Sequence, residues 1–322
     1  MTSRILLALV IIANAIAAFA CESEAAPASV AAPSQPSGTW SNGPPLVEGR
    51  AEVAAAVLDG RIYVGGGFDA DGADLSSFEM LDPAAGQWVQ RASIPVGLNH
   101  LGLAAAAGRV WVSGGSRGGT ISRALYAYDP DSDTWTQMAD MPLARSAHVM
   151  VGLNDRLYVI GGVGPQPEVT LEYTPATDRW ERRAPLPAPR EHLSAAAANG
   201  RIYAIGGRWQ NRGNVSTVDE YDPDSDGWRA RAPLPTARGG LTAATVNGRI
   251  HVVGGEAFDP ARTFGEHEVY DPAGDAWASA PPMPDARHGL ASAGLDGRFY
   301  VIAGGRTAGL SVSDLTDVFV PE

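Results

Sequence analysis

Lysine is missing altogether: all 24 basic side chains among the 322 residues are arginine. That removes the amine needed for Schiff-base chemistry. It leaves every cationic contact to a planar guanidinium suited to gripping carboxylates, although a biased base composition would leave the same imprint. Cysteine is almost missing too. Cys21 stands alone, so no disulfide can form within the chain. Positive charge is scarce overall: the net charge of −12 excludes the basic footprint of a nucleic-acid binder. No apolar run is long enough to span a bilayer; the longest, Ile5 to Ala18, falls short of the ~20 residues needed. No histidine pair has the HxH or HxxxH spacing of a metal motif, and nothing points to a cofactor. Long helical periodicity is also lacking, and the 38 glycines and 24 prolines point to many turns.

The N-terminus carries a targeting signal. Arg4 precedes the apolar stretch, and Ala18-Phe19-Ala20 has the small-x-small form of a cleavage site, so residues 1–20 read as a secretory signal peptide. Cys21 directly after that site resembles a bacterial lipoprotein signal, which implies lipidation of Cys21 and a periplasmic or cell-envelope location; otherwise the chain is simply secreted. Residues 21–37 are rich in Ala, Pro and Ser and form a flexible tether.

From there the chain repeats itself. Trp40, Trp88, Trp135, Trp180, Trp228 and Trp277 recur at spacings of 48, 47, 45, 48 and 49. Glycine doublets keep the same beat, from Gly66-Gly67 to Gly304-Gly305. Arg50, Arg145, Arg190, Arg238 and Arg287 each stand eleven residues before the arginine that opens an apolar run, and only Leu98 breaks the column. Segments such as FEMLDP, LYAYDP and DEYDP follow each doublet. Four short strands per period of 45–50 residues is the pattern of a propeller blade.

These motifs resemble the kelch-repeat family across nearly all of residues 38–322. The resemblance implies an all-β fold, a six-bladed kelch β-propeller. Trp40 stands ahead of the first blade while the last blade lacks its outer strand, so the N-terminal strand in Gly38–Leu46 is expected to close the last blade and leave no open edge. The expected domain is residues 38–322, a monomer.

The Trp and Tyr columns read as packing. The acidic turn at Asp222–Trp228 resembles a calcium loop but puts Pro233 where a bidentate Glu is required, so turn chemistry explains it. His100, His148, His192 and His288 fall near the starts of first strands, beside the channel, together with Glu52. Their offsets from the arginine column differ, so convergence on a metal is not expected. The arginine column supports two readings: a ring gripping an anionic ligand, or bridges that hold the blades. Function concentrates in loops, here Phe68–Ser77, Ser116–Ala124, Arg208–Val218, Glu256–Glu266 and Arg306–Ser313. In the third of these, Arg208 and Trp209, with Gln210, Asn211 and Arg212, supply an aromatic face, cations and amides suited to a sugar. Two functions are carried forward. One is a binding module for a glycan or protein ligand, with Arg50, Arg145, Arg190, Arg238, Arg287, Arg208 and Trp209 as contact residues. The other, implied by exported six-bladed kelch propellers that include sialic-acid mutarotases, is an epimerase or mutarotase acting on an anionic sugar. Its candidate proton-transfer residues are Glu256 and His267. Copper oxidase chemistry of the galactose oxidase kind is set aside, because Cys21 lies outside the propeller.

Overall fold

The structure is a computed structural model, and it describes residues 36–210 and 213–322. Six antiparallel sheets, five of four strands and one of five, follow one another along the chain. The first blade shows the logic. Arg61–Gly65 (RIYVG) is buried on both faces because blades pack against it from either side, whereas the outer strand Gln87–Gln90 (QWVQ) buries only its tryptophan. Blades two to four repeat the arrangement, with inner strands Gly102–Ala106, Val149–Leu153 and Ser194–Ala198. Blade five is extended: Gly239–Val246 pairs with Arg249–Phe258, which runs on into a hairpin with Ala261–Thr263.

Blade six closes as expected. Gly38–Asn42 pairs antiparallel with Thr316–Pro321, with Gly38 opposite Pro321 and Asn42 opposite Asp317. The two ends of the chain are thus joined within one sheet, whose order runs from the N-terminal strand through Thr316–Pro321 and Arg298–Ile302 to Ala291–Leu295.

The tryptophan column joins neighbours as well as filling the wedges between them. Trp88, Trp135, Trp180, Trp228 and Trp277 donate from Nε1 to the carbonyls of Pro44, Ala92, Ala139, Ala184 and Ala232, and Trp40 donates to Pro281, at 2.7–3.1 Å. Every junction in the ring therefore carries the same bond. Four junctions add a second clasp. Tyr128, Tyr173, Tyr221 and Tyr270 donate to Asp133, Asp178, Asp226 and Asp275. Each of those carboxylates also accepts the backbone N–H of Ala92, Ala139, Ala184 or Ala232 in the preceding blade. Blades one and six have Leu81 and Phe319 at the tyrosine position and lack it.

The last glycine doublet is displaced by one residue. Ala303 and Gly304 take the positive φ values, 60° and 94°, that Gly254 and Gly255 take in blade five.

Candidate functional site

Two residues beyond the arginine column, each blade turns its chain in toward the axis. The six equivalent residues are Glu52, His100, Ala147, His192, Gly240 and Gly289. All have left-handed backbone, with φ between 50° and 69°. Their main chains form a closed belt around the channel. Glu52 N–H donates to Gly289, His100 to Glu52, Ala147 to His100, His192 to Ala147, Gly240 to His192 and Gly289 to Gly240, at 2.6–3.1 Å. The left-handed region suits glycine and strains residues with a Cβ. Glu52, His100 and His192 are held there nevertheless.

On one side the belt abuts a narrow channel of about 130 Å³, and on the other a cup of about 370 Å³. The cup is built by the loops singled out in the sequence: Phe68 and Gly72, Arg208, Glu256 and Phe258, and Gly309 to Ser311. Phe258 and Leu310 remain 59% and 61% exposed on its rim. The floor is polar. Glu52 Oε2 lies 3.3 Å from His100 Nε2 and 3.9 Å from His192 Nε2, and the two Nε2 atoms are 3.0 Å apart. His288 Nδ1 lies between carboxylates, 3.5 Å from Glu52 Oε1 and 3.4 Å from Glu256 Oε2. The Glu52 side chain reaches this place across Gly289, where a Cβ would stand 2.6 Å from Oε1.

Arg208 turns inward from its loop. It pairs with Glu256 Oε1 at 2.7 Å and Glu191 Oε1 at 3.2 Å, and its guanidinium lies 5.1 Å from the Phe258 ring centre. Glu256 Oε2 also accepts the Gly309 N–H at 2.9 Å. Burial alone would raise the Glu52 pKa, but His100 first, then the hydrogen bond from His288 and the charges of His192 and His288, hold it well below the usual carboxylate range. Burial pulls His192 down to about 3, against the opposing pull of Glu52. For His288 burial also acts downward, yet its bond to Glu52 and the carboxylates of Glu52 and Glu256 raise it.

The arginine column lies elsewhere. Arg50, Arg145, Arg190, Arg238 and Arg287 are at most 1% exposed, and none lines the cup. Arg50 pairs with Glu79, Arg190 with Asp219, Arg238 with Glu268 and Arg287 with Asp317, at 2.5–2.8 Å. These carboxylates stand two residues before the Tyr/Leu/Phe column. Blade two, with Leu98 for the arginine, has Tyr126 there. Arg145 has no such partner and donates to the carbonyls of Ala144, Pro165 and Gln166; burial pulls its pKa down to about 10. The column holds each blade's inner turn, and the reading as a ligand ring does not fit these positions.

Other sequence candidates divide. Arg208 and Glu256 are in the cup. Trp209 is half-buried and does not line it, and Asn211, Arg212 and Cys21 lie outside the described residues. His267 is 2% exposed in the core of blades five and six, with Trp40, Phe299 and Phe319 packed around it. Its Nδ1 donates to the Pro281 carbonyl at 3.1 Å, and its Nε2 meets His251 Nδ1 at 2.9 Å. A proton-transfer role for His267 is therefore corrected: a ring enclosed by the core reaches no ligand. His148 bonds Ser113 Oγ at 2.9 Å, in the channel wall. The expectation that the imidazoles do not converge holds for His148 and fails for His100, His192 and His288. Glu52, His100 and His192 share one offset from the column, and that register was the signal available in the sequence.

A ring of six sheets with a loop-built cup over its axis defines a β-propeller with a channel-mouth site. The chain belongs to the kelch-repeat family. Residues 34–162 match the KLHDC2/KLHL20/DRC7 Kelch-repeats domain, and residues 189–235 and 237–284 match the Kelch motif. Beta-scruin of Limulus polyphemus is 28% identical over 38% of this chain and 14% of its own. Kelch-like protein 35 of Mus musculus is 30% identical over 42% and 22%, and Kelch-like protein 34 of Homo sapiens 32% over 38% and 20%. The matches thus span less than a quarter of these relatives' length. The solved structure of YjhT superimposes with a TM-score of 0.75 at 16% identity, covering 86% of this chain and 96% of that one, which is a likeness of fold. Kelch propellers generally bind protein partners, and the fold suggests an interaction module.

Proposed function

We propose that this propeller is a binding module whose cup receives a sugar presented at the cell envelope, either free or on a glycan. One observation carries the reading: an exposed apolar rim, Phe258 and Leu310, stands over a floor of buried and half-buried carboxylates and imidazoles in a cavity of about 370 Å³. A pyranose has that same division, with a C–H face that packs on an aromatic ring and hydroxyls that need convergent polar groups. The floor favours a neutral sugar over an anionic one. Arg208, the one guanidinium lining the cup among the described residues, is already paired with Glu191 and Glu256, and Glu52 and Glu256 would repel a ligand carboxylate. The setting is the one implied by residues 1–37: export, a lipid on Cys21 and a flexible tether. Cys21→Ser should release the protein from the membrane fraction, and retention there would refute the anchor.

A second reading, a sugar epimerase or mutarotase, is favoured by His288 lying between Glu52 and Glu256, a set able to move a proton at a ring oxygen. One experiment separates the two. Saturation-transfer NMR would be recorded on the full protein with neutral monosaccharides and with N-acetylneuraminate, and anomer exchange followed in the same tubes. Saturation transfer from a neutral sugar, lost in Phe258→Ala and without faster exchange, is the expected result. Faster exchange that disappears in Glu256→Gln would establish the enzyme instead. No transfer from any sugar would refute both.

A further inference from the structure

We propose that Glu52, His100 and His192 form a binding site for a divalent transition-metal ion of the zinc class, at the junction of channel and cup. The inference does not depend on what the cup receives.

The case begins with protons. His100 Nδ1 faces Asn99 Oδ1 at 2.5 Å. That oxygen is fixed as an acceptor because the Asn99 amide nitrogen donates to Asp74 Oδ1, while Asp74 Oδ2 takes the Gly118 N–H at 2.7 Å. His192 Nδ1 lies against Glu191 Oε2, and Arg208 holds the other oxygen of that carboxylate. His100 therefore carries its proton on Nδ1, the Glu191 carboxylate beside His192 Nδ1 draws a proton to the same atom there, and both Nε2 atoms face inward. They meet each other at 3.0 Å and the Glu52 carboxylate at 3.3 and 3.9 Å. Three lone-pair donors converging so closely repel one another unless a cation is shared among them.

The triangle has the size a metal requires. Ligands at about 2.0–2.1 Å in a tetrahedral shell stand roughly 3.3–3.4 Å apart, and the three edges here average to that range. Two imidazoles and one carboxylate is the donor set of open zinc sites, in which the fourth position is left for water or a ligand. All three residues line both the channel and the cup, so the fourth position opens onto the junction between them. The Asp74–Asn99 and Arg208–Glu191 relays behind the imidazoles are the outer partners that fix ligand tautomers in such sites. Backbone strain points the same way: the three donors occupy left-handed positions, where blades five and six have glycine. Nitrogen donors favour zinc, cobalt or copper over magnesium and calcium.

The test uses chelator-treated full-length protein titrated with Zn²⁺ by calorimetry and with Co²⁺ by visible absorption. One equivalent should bind, with the d–d bands of a four- or five-coordinate site, and Mg²⁺ and Ca²⁺ should not compete. His100→Gly and His192→Gly place glycine where the fold already accepts it at Gly240 and Gly289, so the variants should fold and lose at least about 100-fold in affinity. Asp74→Asn, which leaves all three donors in place, should lose roughly 10–100-fold. Folded wild type that takes up no stoichiometric Zn²⁺ or Co²⁺ would overturn the proposal, because a proton alone would then supply the positive charge. Wild-type affinity retained in His100→Gly and His192→Gly would overturn it as well.

Discussion

Arg190→Met distinguishes a structural arginine from a ligand-gripping one. The Arg190 side chain is 2% exposed and meets Asp219, at 3%, across 2.8 Å. It also donates to the carbonyls of Ala204 at 3.0 Å and Ala188 at 3.5 Å. Methionine keeps much of the volume but leaves the Asp219 carboxylate buried without its countercharge. Breaking a buried pair from one side costs about 3–5 kcal/mol. For a domain of this size that lowers Tm by roughly 5–8 °C. Arg145→Met should cost less, about 1–3 kcal/mol. No carboxylate is stranded in that blade, and Pro165 and Gln166, whose carbonyls it holds, are exposed and can turn to water. Arg190→Met with Asp219→Asn should recover part of the loss, since the stranded group is then neutral. Urea melts of the four proteins give the differences, and metal uptake by each folded variant is measured alongside. A loss below about 1 kcal/mol for Arg190→Met, or equal losses in the two single variants, would refute the pairing argument. Loss of metal or sugar binding in a variant that remains folded would return the column to a ligand role.

Acid should destabilise the propeller before its carboxylates titrate. Burial holds His148 and His251 at about 3 and His267 at about 4, against about 6.5 in the unfolded chain. The unfolded chain takes up these protons first, so the stability is complete above pH ~6.5 and is lost as pH falls toward 3–4, by up to about 1.4 kcal/mol per pH unit for each histidine. His288 acts in the opposite sense, its raised pKa adding stability that is lost as pH rises. His192, pulled down to about 3, acts with these three, and four against one leaves a lower Tm at pH 5 than at pH 7.5; an unchanged Tm would count against neutral buried imidazoles. Gly289→Ala should destabilise the protein and displace Glu52, since the new Cβ would stand 2.6 Å from Oε1 at a φ of 59°. Gly240→Ala, at φ 69° with its nearest heavy atom 3.6 Å away, should cost about 1 kcal/mol of backbone strain and leave Zn²⁺ uptake unchanged. Similar metal affinities in the two variants would argue against Glu52 as a ligand.

The fold was legible because it is written six times. The Trp, Gly-Gly and Tyr columns recur at a constant period, and each is a local requirement: a wedge to fill, a left-handed turn, a strand partner. Even the closure by Gly38–Asn42 could be read, from a tryptophan without a blade and a last blade without its outer strand. Arg208 and Glu256 were legible for another reason: they sit in inserts that break the repeat, where the framework places no demand on them.

The site was less legible. The arginine column invited a functional reading because its members recur, yet four of the five recur with a carboxylate two residues before the Tyr/Leu/Phe column, and the fifth, Arg145, holds loop carbonyls instead. His267 looked available beside Glu266, but strand alternation turns it into the core against Trp40 from the far end of the chain. Glu52, His100 and His192 are separated by 48 and 92 residues, and no local spacing joins them. The sequence by itself determined the blade, the number of blades and how the ring closes, because those follow from short-range periodicity repeated in register. Only the tertiary structure decided which residues meet. Closing the ring carries one position of every blade to a common axis, and small residues in three blades leave room for the side chains of the others to converge.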